Sequence, residues 1–349
     1  MIGQAPPPLD FPRLIAATGP ISVARFMAES NARYYATRDP LGGAGDFVTA
    51  PEVSQMFGEL VGLWLTDIWH RAGAVAPVRY VELGPGRGTL ARDALAAAAR
   101  FGLTPAIHFV EGSPALRGRQ RALFPAATWH ESLADVPDDA ALLVVANEFL
   151  DALPVRQLVR TPAGWRERMV GLQDGALAFV AGDQPMDAAL PSHLREAPVG
   201  AIVETSPAAV AVVGELAGRL ARQGGAALLI DYGHAAPRLG STLQAVRGHA
   251  RVDPFATPGE ADLTAHVDFA TLAATAEAHG ACWLGTSAQG AWLGAMGIVT
   301  RAEALARAAP GQQREIATAL ERLTGDRAMG ALFQVMGLAA RRWPTGAGF

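Results

Sequence analysis

The sequence predicts an α/β protein whose core is a largely parallel sheet covered by helices on both faces. Two observations carry the prediction. From Pro77 onward, short apolar runs alternate with helical stretches, the order produced when each parallel strand is returned to the sheet by a helix. Runs such as "LLVVA" (Leu142–Ala146) are apolar without interruption, which suits strands buried on both sides.

The elements follow in chain order. Residues 1–75 read as a helical N-terminal segment. "PISVARFMAESNARYY" places apolar residues at helical spacing, and "ATRDPLGGAGDFVTA" is a Gly-, Asp- and Pro-rich loop. Thr49 and Pro51 then open one long helix, with Glu52 at its positive dipole end. Val53, Met56, Phe57, Leu60, Val61, Trp64 and Ile68 form its core-facing stripe.

Residues 76–349 form the α/β domain. Strand "VRYVEL" runs into glycines, helix "TLARDALAAAARFG" follows, and strand "AIHFVEGS", helix "ALRGRQRALF" and strand "ATWHES" continue the alternation. "ALLVVANEFLDALPV" is a fourth strand leading into an acidic turn. Insertions are expected at about 154–200, where hairpin strands with Gly turns break the pattern, and at 235–263, a long ordered loop whose length marks it as functional. Helix "SPAAVAVVGELAGRLARQGG" and strand "AALLIDYGH" lie between them. Helix "VDFATLAATAEAHG", strand "CWLGTSA", further helices and a last strand "ALFQVMGLA" complete the chain.

Composition narrows the function classes. The chain has 349 residues, a net charge of −4 and no lysine, which argues against a nucleic-acid partner. Its single cysteine, Cys282, excludes an internal disulfide and a thiolate zinc cluster, and is read as inert in an apolar strand. "MIGQAPPPLDFPRLI" has no charged start followed by an apolar run, and no stretch is long enough for an uncharged membrane span. The expectation is a soluble cytoplasmic protein, monomeric or homodimeric.

The glycines carry the ligand. Gly84, Gly86 and Gly88 are spaced G-x-G-x-G, whereas a dinucleotide fingerprint places its third glycine at 89, here Thr89. Glu82 beside the loop repels a pyrophosphate and suits a positive ligand. S-adenosylmethionine (SAM) carries a sulfonium and an ammonium, no phosphate, and needs the close backbone approach that small residues allow. Glu111, at the end of the next strand, is placed to accept from ribose hydroxyls. The alternative is that the glycines only turn the chain and Glu111 is a solvated strand-end acid.

With these residues placed, longer segments become recognisable. "GDFVTAPEVSQMFGELVGLWL", "VELGPGRGTLARDAL", "NEFLDALPVRQ", "LLIDYGH" and "LQAVRGHARVDPFATPGEADLTAHVDFATL" together resemble the MidA-like family of SAM-dependent methyltransferases, from about residue 11 to residue 340. The resemblance implies the class I methyltransferase fold, a Rossmann-like seven-stranded sheet, with family-specific additions. Its mitochondrial member is an assembly factor of respiratory complex I that methylates an arginine of a core subunit. The resemblance therefore implies a protein-arginine substrate, with symmetric dimethylation as the product. It also suggests that the segment around Asp46 and Glu52 lids the cofactor, residues 41–55 ordering over it, and that Arg247, Arg251 and "PGEADLTAH" shape the acceptor groove.

Arginine is a difficult acceptor because its guanidinium stays protonated. A carboxylate can grip it, localise its charge and take the proton. Acids at carboxyl ends of strands are the candidates, because ligands sit there in such sheets. Glu148 is the main one, with Asp151 or Asp231 as a second acid. Asn147 lies beside the methyl donor with Glu82, Gly84, Pro85, Gly86, Gly88, Glu111 and Glu52. Asn147 and Asp151 also fit helix caps, Asp231 a turn-forming Asp before Gly, and Glu52 a helix-dipole partner. His234, His249 and His266, spaced 15 and 17 apart, match no zinc pattern, and no metal is expected.

Other functions are a small-molecule or RNA methyltransferase and a SAM-binding assembly chaperone without turnover. A nicotinamide reductase is disfavoured by Thr89.

Overall fold

The computed structural model describes residues 9–37 and 48–349. Two compact units emerge. One draws on the described residues of Met1–Pro40 with Asp151–Ala209 and Ala236–His266, the other on those of Leu41–Leu150 with Val210–Ala235 and Val267–Phe349.

The larger unit holds the main sheet. Its strands are β1 (Val78–Leu83), β2 (Ala106–Val110), β3 (Thr128–His130), β4 (Ala141–Asn147), β5 (Gly225–His234), β6 (Cys282–Ala288) and β7 (Phe333–Ala339). They lie in the order β3-β2-β1-β4-β5-β7-β6. β1 to β5 run parallel, and β7 is antiparallel to both β5 and β6. The two-residue strand Val267–Asp268 adds alongside the end of β5. β4 is buried along its whole length, as its unbroken apolar run requires. Helix Gln55–Arg71 lies on helix Thr89–Ala99, which starts at the glycine loop. Gly62 makes that contact possible, because a Cβ there would stand 2.1 Å from the Ala94 carbonyl oxygen.

The helix expected to run unbroken from Thr49 is interrupted. Ala50–Val53 forms a single turn, Ser54 is extended (φ −163°, ψ 143°), and the long helix restarts at Gln55. The Ser54 hydroxyl accepts from the Met56 N–H at 3.2 Å, so a capping bond replaces helix continuity.

In the smaller unit, helices Phe11–Thr18 and Val23–Thr37 pack with an antiparallel sheet of Ile21–Ser22, Gly164–Gln173, Arg156–Thr161 and Ile202–Thr205, to which Ala176–Pro185 adds. Phe11, Phe26, Met27, Val170 and Leu263 are buried in its core. Residues 235–263, expected to be a loop, instead contain the strands Gln244–Arg247 and Ala250–Val252, and with Asp262–Thr264 they make a three-stranded antiparallel sheet. Gly248 (φ 57°) and His249 (φ 61°) turn its hairpin with both central residues left-handed. Asn31 knits this unit: its amide donates to the carbonyls of Ala152 (3.1 Å) and Leu263 (2.7 Å) and accepts from the Leu263 N–H (3.0 Å).

The helical N-terminal stretch is thus shared between the units. Asp46 and the first part of the segment expected to act as a lid, 41–47, lie outside the described residues. Among the described residues no helix is long and apolar enough to cross a membrane.

Candidate cofactor site and catalytic turn

β1 delivers the chain into Gly84-Pro85-Gly86-Arg87-Gly88. Gly84, Gly86 and Gly88 have φ of 65°, 55° and 80°, a region that side-chain-bearing residues rarely enter. Gly84 has a second constraint: a Cβ there would lie 2.8 Å from Cδ2 of Phe149. Its N–H donates to the Val110 carbonyl at 2.9 Å, and the Gly88 N–H closes the loop on the Pro85 carbonyl at 2.8 Å. Gly88 caps helix Thr89–Ala99.

Two acids flank the loop. Glu82, on β1, is buried and accepts from the Tyr80 hydroxyl at 2.6 Å. Burial pushes its carboxyl up to about 7; the Tyr80 bond opposes the shift and the charge of Glu111 adds to it. Glu111 follows β2, and its Oε1 accepts from the Ser113 N–H at 2.8 Å. Burial raises its pKa, while its hydrogen-bond donors and Arg117 pull it back.

Gln120, which the sequence-based reading passed over, joins these parts. Its Nε2 donates to the Gly86 carbonyl (2.7 Å) and to Glu111 Oε2 (3.1 Å), and its Oε1 accepts from the Trp129 indole (2.8 Å). A signal was present: Gln120 stands four residues after Leu116, and these two are the buried positions of helix Pro114–Leu123. An amide on a core-facing stripe calls for specific partners.

The turn after β4 carries the acids proposed for the acceptor. Glu148 is a non-glycine residue at φ 51°, a conformation that costs roughly 1–2 kcal/mol and persists only when its surroundings impose it. Its N–H donates to the Ile230 carbonyl at 2.9 Å. Its Oε1 accepts from the Ala50 N–H and from Asn147 Nδ2, each at 3.1 Å. Asn147 Oδ1 is buried and meets no donor among the described residues. Asp231 lies behind this turn on β5, fully buried, with its carboxylate accepting from the N–H groups of Leu150 (3.0 Å) and Tyr232 (2.9 Å). Glu52 accepts from the Thr89 hydroxyl at 2.5 Å, which gives the residue at the third-glycine position a task of its own.

The structure therefore gathers Glu82, Gly84, Pro85, Gly86, Gly88, Glu111, Asn147, Glu148, Asp231 and Glu52 in one unit. Glu82, Asn147 and Asp231 are held near the carboxyl ends of neighbouring strands by the register Leu83–Ala146 and Asn147–Ile230. Asp151 belongs to the other unit, where it is buried and its carbonyl accepts from the Ala265 N–H at 3.0 Å. There the Tyr35 hydroxyl donates to Asp262 at 2.8 Å and is pushed well above its ordinary pKa by burial, Asp262 and Asp151. His234 lies 3.9 Å from Asp268, His249 sits in the hairpin turn, and the His266 N–H donates to Thr242 at 2.7 Å. No group of three or more metal-ligating side chains is assembled among the described residues.

The geometry of Asp231 makes a checkable prediction. Asp231→Asn turns one acceptor oxygen into an NH₂ facing backbone donors, so one buried N–H loses its partner. The loss should be about 1–3 kcal/mol of stability, read as a lower midpoint in urea unfolding; an unchanged midpoint would remove the bracing role.

The site fits an adenosyl ligand with a cationic tail. The loop is bare where a nucleoside must approach the backbone. The desolvated Glu82 carboxyl would be relieved by a positive charge, and the orphaned Asn147 Oδ1 needs an N–H donor.

Comparison with known proteins agrees. The profile of a family described as "Putative S-adenosyl-L-methionine-dependent methyltransferase" matches residues 60–287. The chain is 37% identical to the Drosophila melanogaster protein arginine methyltransferase NDUFAF7 homolog, mitochondrial, over 93% of this chain and 82% of that protein. It is 34% identical to the Homo sapiens protein arginine methyltransferase NDUFAF7, mitochondrial, over 93% of this chain and 81% of that one. A crystal structure from Burkholderia thailandensis, bound to S-adenosyl-homocysteine, superposes with a TM-score of 0.81 at 31% identity, covering 94% of this chain and 90% of its own. These relatives correct one expectation. Several are named as mitochondrial, so the cytoplasmic assignment is overturned; it had rested on the lack of a secretory signal and a membrane span, features that do not separate one aqueous compartment from another. The seven-strand order, the glycine loop with its flanking acids and this similarity over nearly the whole chain lead to one conclusion: the chain belongs to the MidA-like family of SAM-dependent methyltransferases.

Proposed function

We propose that the protein methylates an arginine side chain of a protein partner, and that this partner is a core subunit of respiratory complex I. The relatives' names support the arginine, and the resemblance to the complex I assembly factor supports the partner. The observation that carries the reading is Glu148, a carboxylate held in a left-handed turn at the end of β4.

When bound, the cofactor supplies an electrophilic methyl carbon on a sulfonium. The protein must align the acceptor, exclude water and take one proton. Glu111 is assigned to the ribose hydroxyls, Glu82 to the positive end of the cofactor, and Asn147 Oδ1 to its ammonium. The glycine loop, with Pro85 at its bend, admits the ligand to the backbone. Glu52 ties residues 50–53 to the loop through Thr89. Glu148 would grip the acceptor guanidinium, localise its charge and take up the proton that the acceptor nitrogen gives up on methylation. Asp231 holds the turn that aims Glu148. The expected product is symmetric dimethylarginine. Comparing the proteome with and without the gene by mass spectrometry tests the reading; loss of methyl-arginine from a complex I subunit is expected, and an unchanged methyl-arginine inventory would refute it.

Glu82 gives the binding step a pH signature. Its folded-state pKa, near 7, lies above the ordinary 4.5, so the ligand-free protein loses stability as pH rises through that window. A cationic ligand favours the ionised form. SAM binding at pH 6 should therefore release up to about one proton, and affinity should rise with pH by at most about tenfold per unit until near 7. Calorimetry in two buffers of different ionisation enthalpy measures the release. Equal heats in both buffers, or the same release from Glu82→Gln, would exclude Glu82.

A further inference from the structure

We propose that Gln120 is a positioning residue for the cofactor: it fixes the Glu111 carboxylate for the ribose and ties it to the glycine loop. The proposal rests on the reading of Glu111 as the ribose acid. Gln120 is completely buried, where an amide oxygen and NH₂ group both require partners. Trp129 decides which way the amide faces. An indole N–H only donates, so the amide oxygen turns toward it at 2.8 Å. The NH₂ group is then presented to two acceptors, the Gly86 carbonyl at 2.7 Å and Glu111 Oε2 at 3.1 Å. Glu111 Oε1 is held separately by the Ser113 N–H at 2.8 Å. Both carboxylate oxygens are anchored by donors, so the group keeps its orientation and remains an acceptor for hydroxyls. The same NH₂ group grips the middle glycine, so acid and loop are set relative to each other by one side chain on helix Pro114–Leu123.

The test is SAM affinity by calorimetry on the full chain, in a double-mutant cycle with Glu111→Ala. Gln120→Met keeps the length and removes the hydrogen bonds; it should weaken binding roughly ten- to hundredfold, the span for hydrogen bonds to charged groups. Gln120→Glu keeps the shape and an acceptor for Trp129 but replaces the donor with a second acid. Relative to the parent at the same pH, its affinity should fall as pH rises from about 6 to 8, as the two neighbouring carboxyls are forced to ionise together, and Glu111→Ala should abolish that pH-dependent difference. A residue acting through Glu111 gives losses smaller than the product of the single losses. Fully multiplicative losses, or unweakened binding in Gln120→Met, would overturn the proposal alone. Unweakened binding in Glu111→Ala would instead overturn the ribose-acid reading, and the proposal with it.

Discussion

Glu148→Gln is expected to leave SAM affinity within about threefold of the parent while lowering turnover roughly a hundred- to ten-thousandfold, the range for a lost acid–base group. The substitution keeps the size of the side chain, and the amide oxygen can still accept from the Ala50 N–H that now reaches Oε1 at 3.1 Å. What is lost is the charge. A guanidinium does not deprotonate unaided, and its planar fork pairs with a carboxylate far better than with an amide. The left-handed conformation at φ 51° is imposed by the N–H bond to Ile230 and by Asp231 on the following Leu150, so the turn should survive the change. Steady-state methyl transfer with cofactor binding measured in parallel decides the matter; full activity in Glu148→Gln would reject this role.

Gly86→Val should abolish detectable SAM binding, a loss above about a hundredfold, with the fold retained. At φ 55° a β-branched residue is a backbone outlier costing of the order of 1–2 kcal/mol. The larger effect is local. In the proposed site the isopropyl group would stand where the ligand approaches the backbone, and a distorted loop would move the carbonyl that Gln120 holds at 2.7 Å. Circular dichroism close to the parent's with no calorimetric heat for SAM is the expected pair of results; a parental dissociation constant would show that the loop only turns the chain.

Much of this architecture was legible because the signals are local or strongly patterned. β4 is apolar at every position up to Asn147, and the strand is buried throughout. The glycines after β1, Glu82 near the end of that strand and Glu111 just after β2 announce themselves by type and spacing. The rest depends on interactions that spacing does not encode. Ser54 breaks a helix because its own hydroxyl caps the next turn. The 244–264 sheet turns on Gly248-His249, not on the Asn-Gly pair that marks such hairpins. Asp231 also fits a turn-forming Asp before Gly in "IDYGH", yet β4 and β7 flank its strand and it is fully buried. Gln120 is distant in sequence from Gly86, with its role visible only once loop, acid and indole converge.

The central claim is methyl transfer from SAM to a protein arginine. It is tested most directly by incubating the purified protein with deuteriomethyl-labelled SAM and the complex I core subunit homologous to the mitochondrial target, then mapping the label by tandem mass spectrometry. Label is expected on arginine, ending as one methyl on each terminal nitrogen, with none transferred by Glu148→Gln on the same timescale. Label absent from every arginine, while calorimetry shows the cofactor bound, would contradict it and leave a protein that holds SAM without using it on arginine.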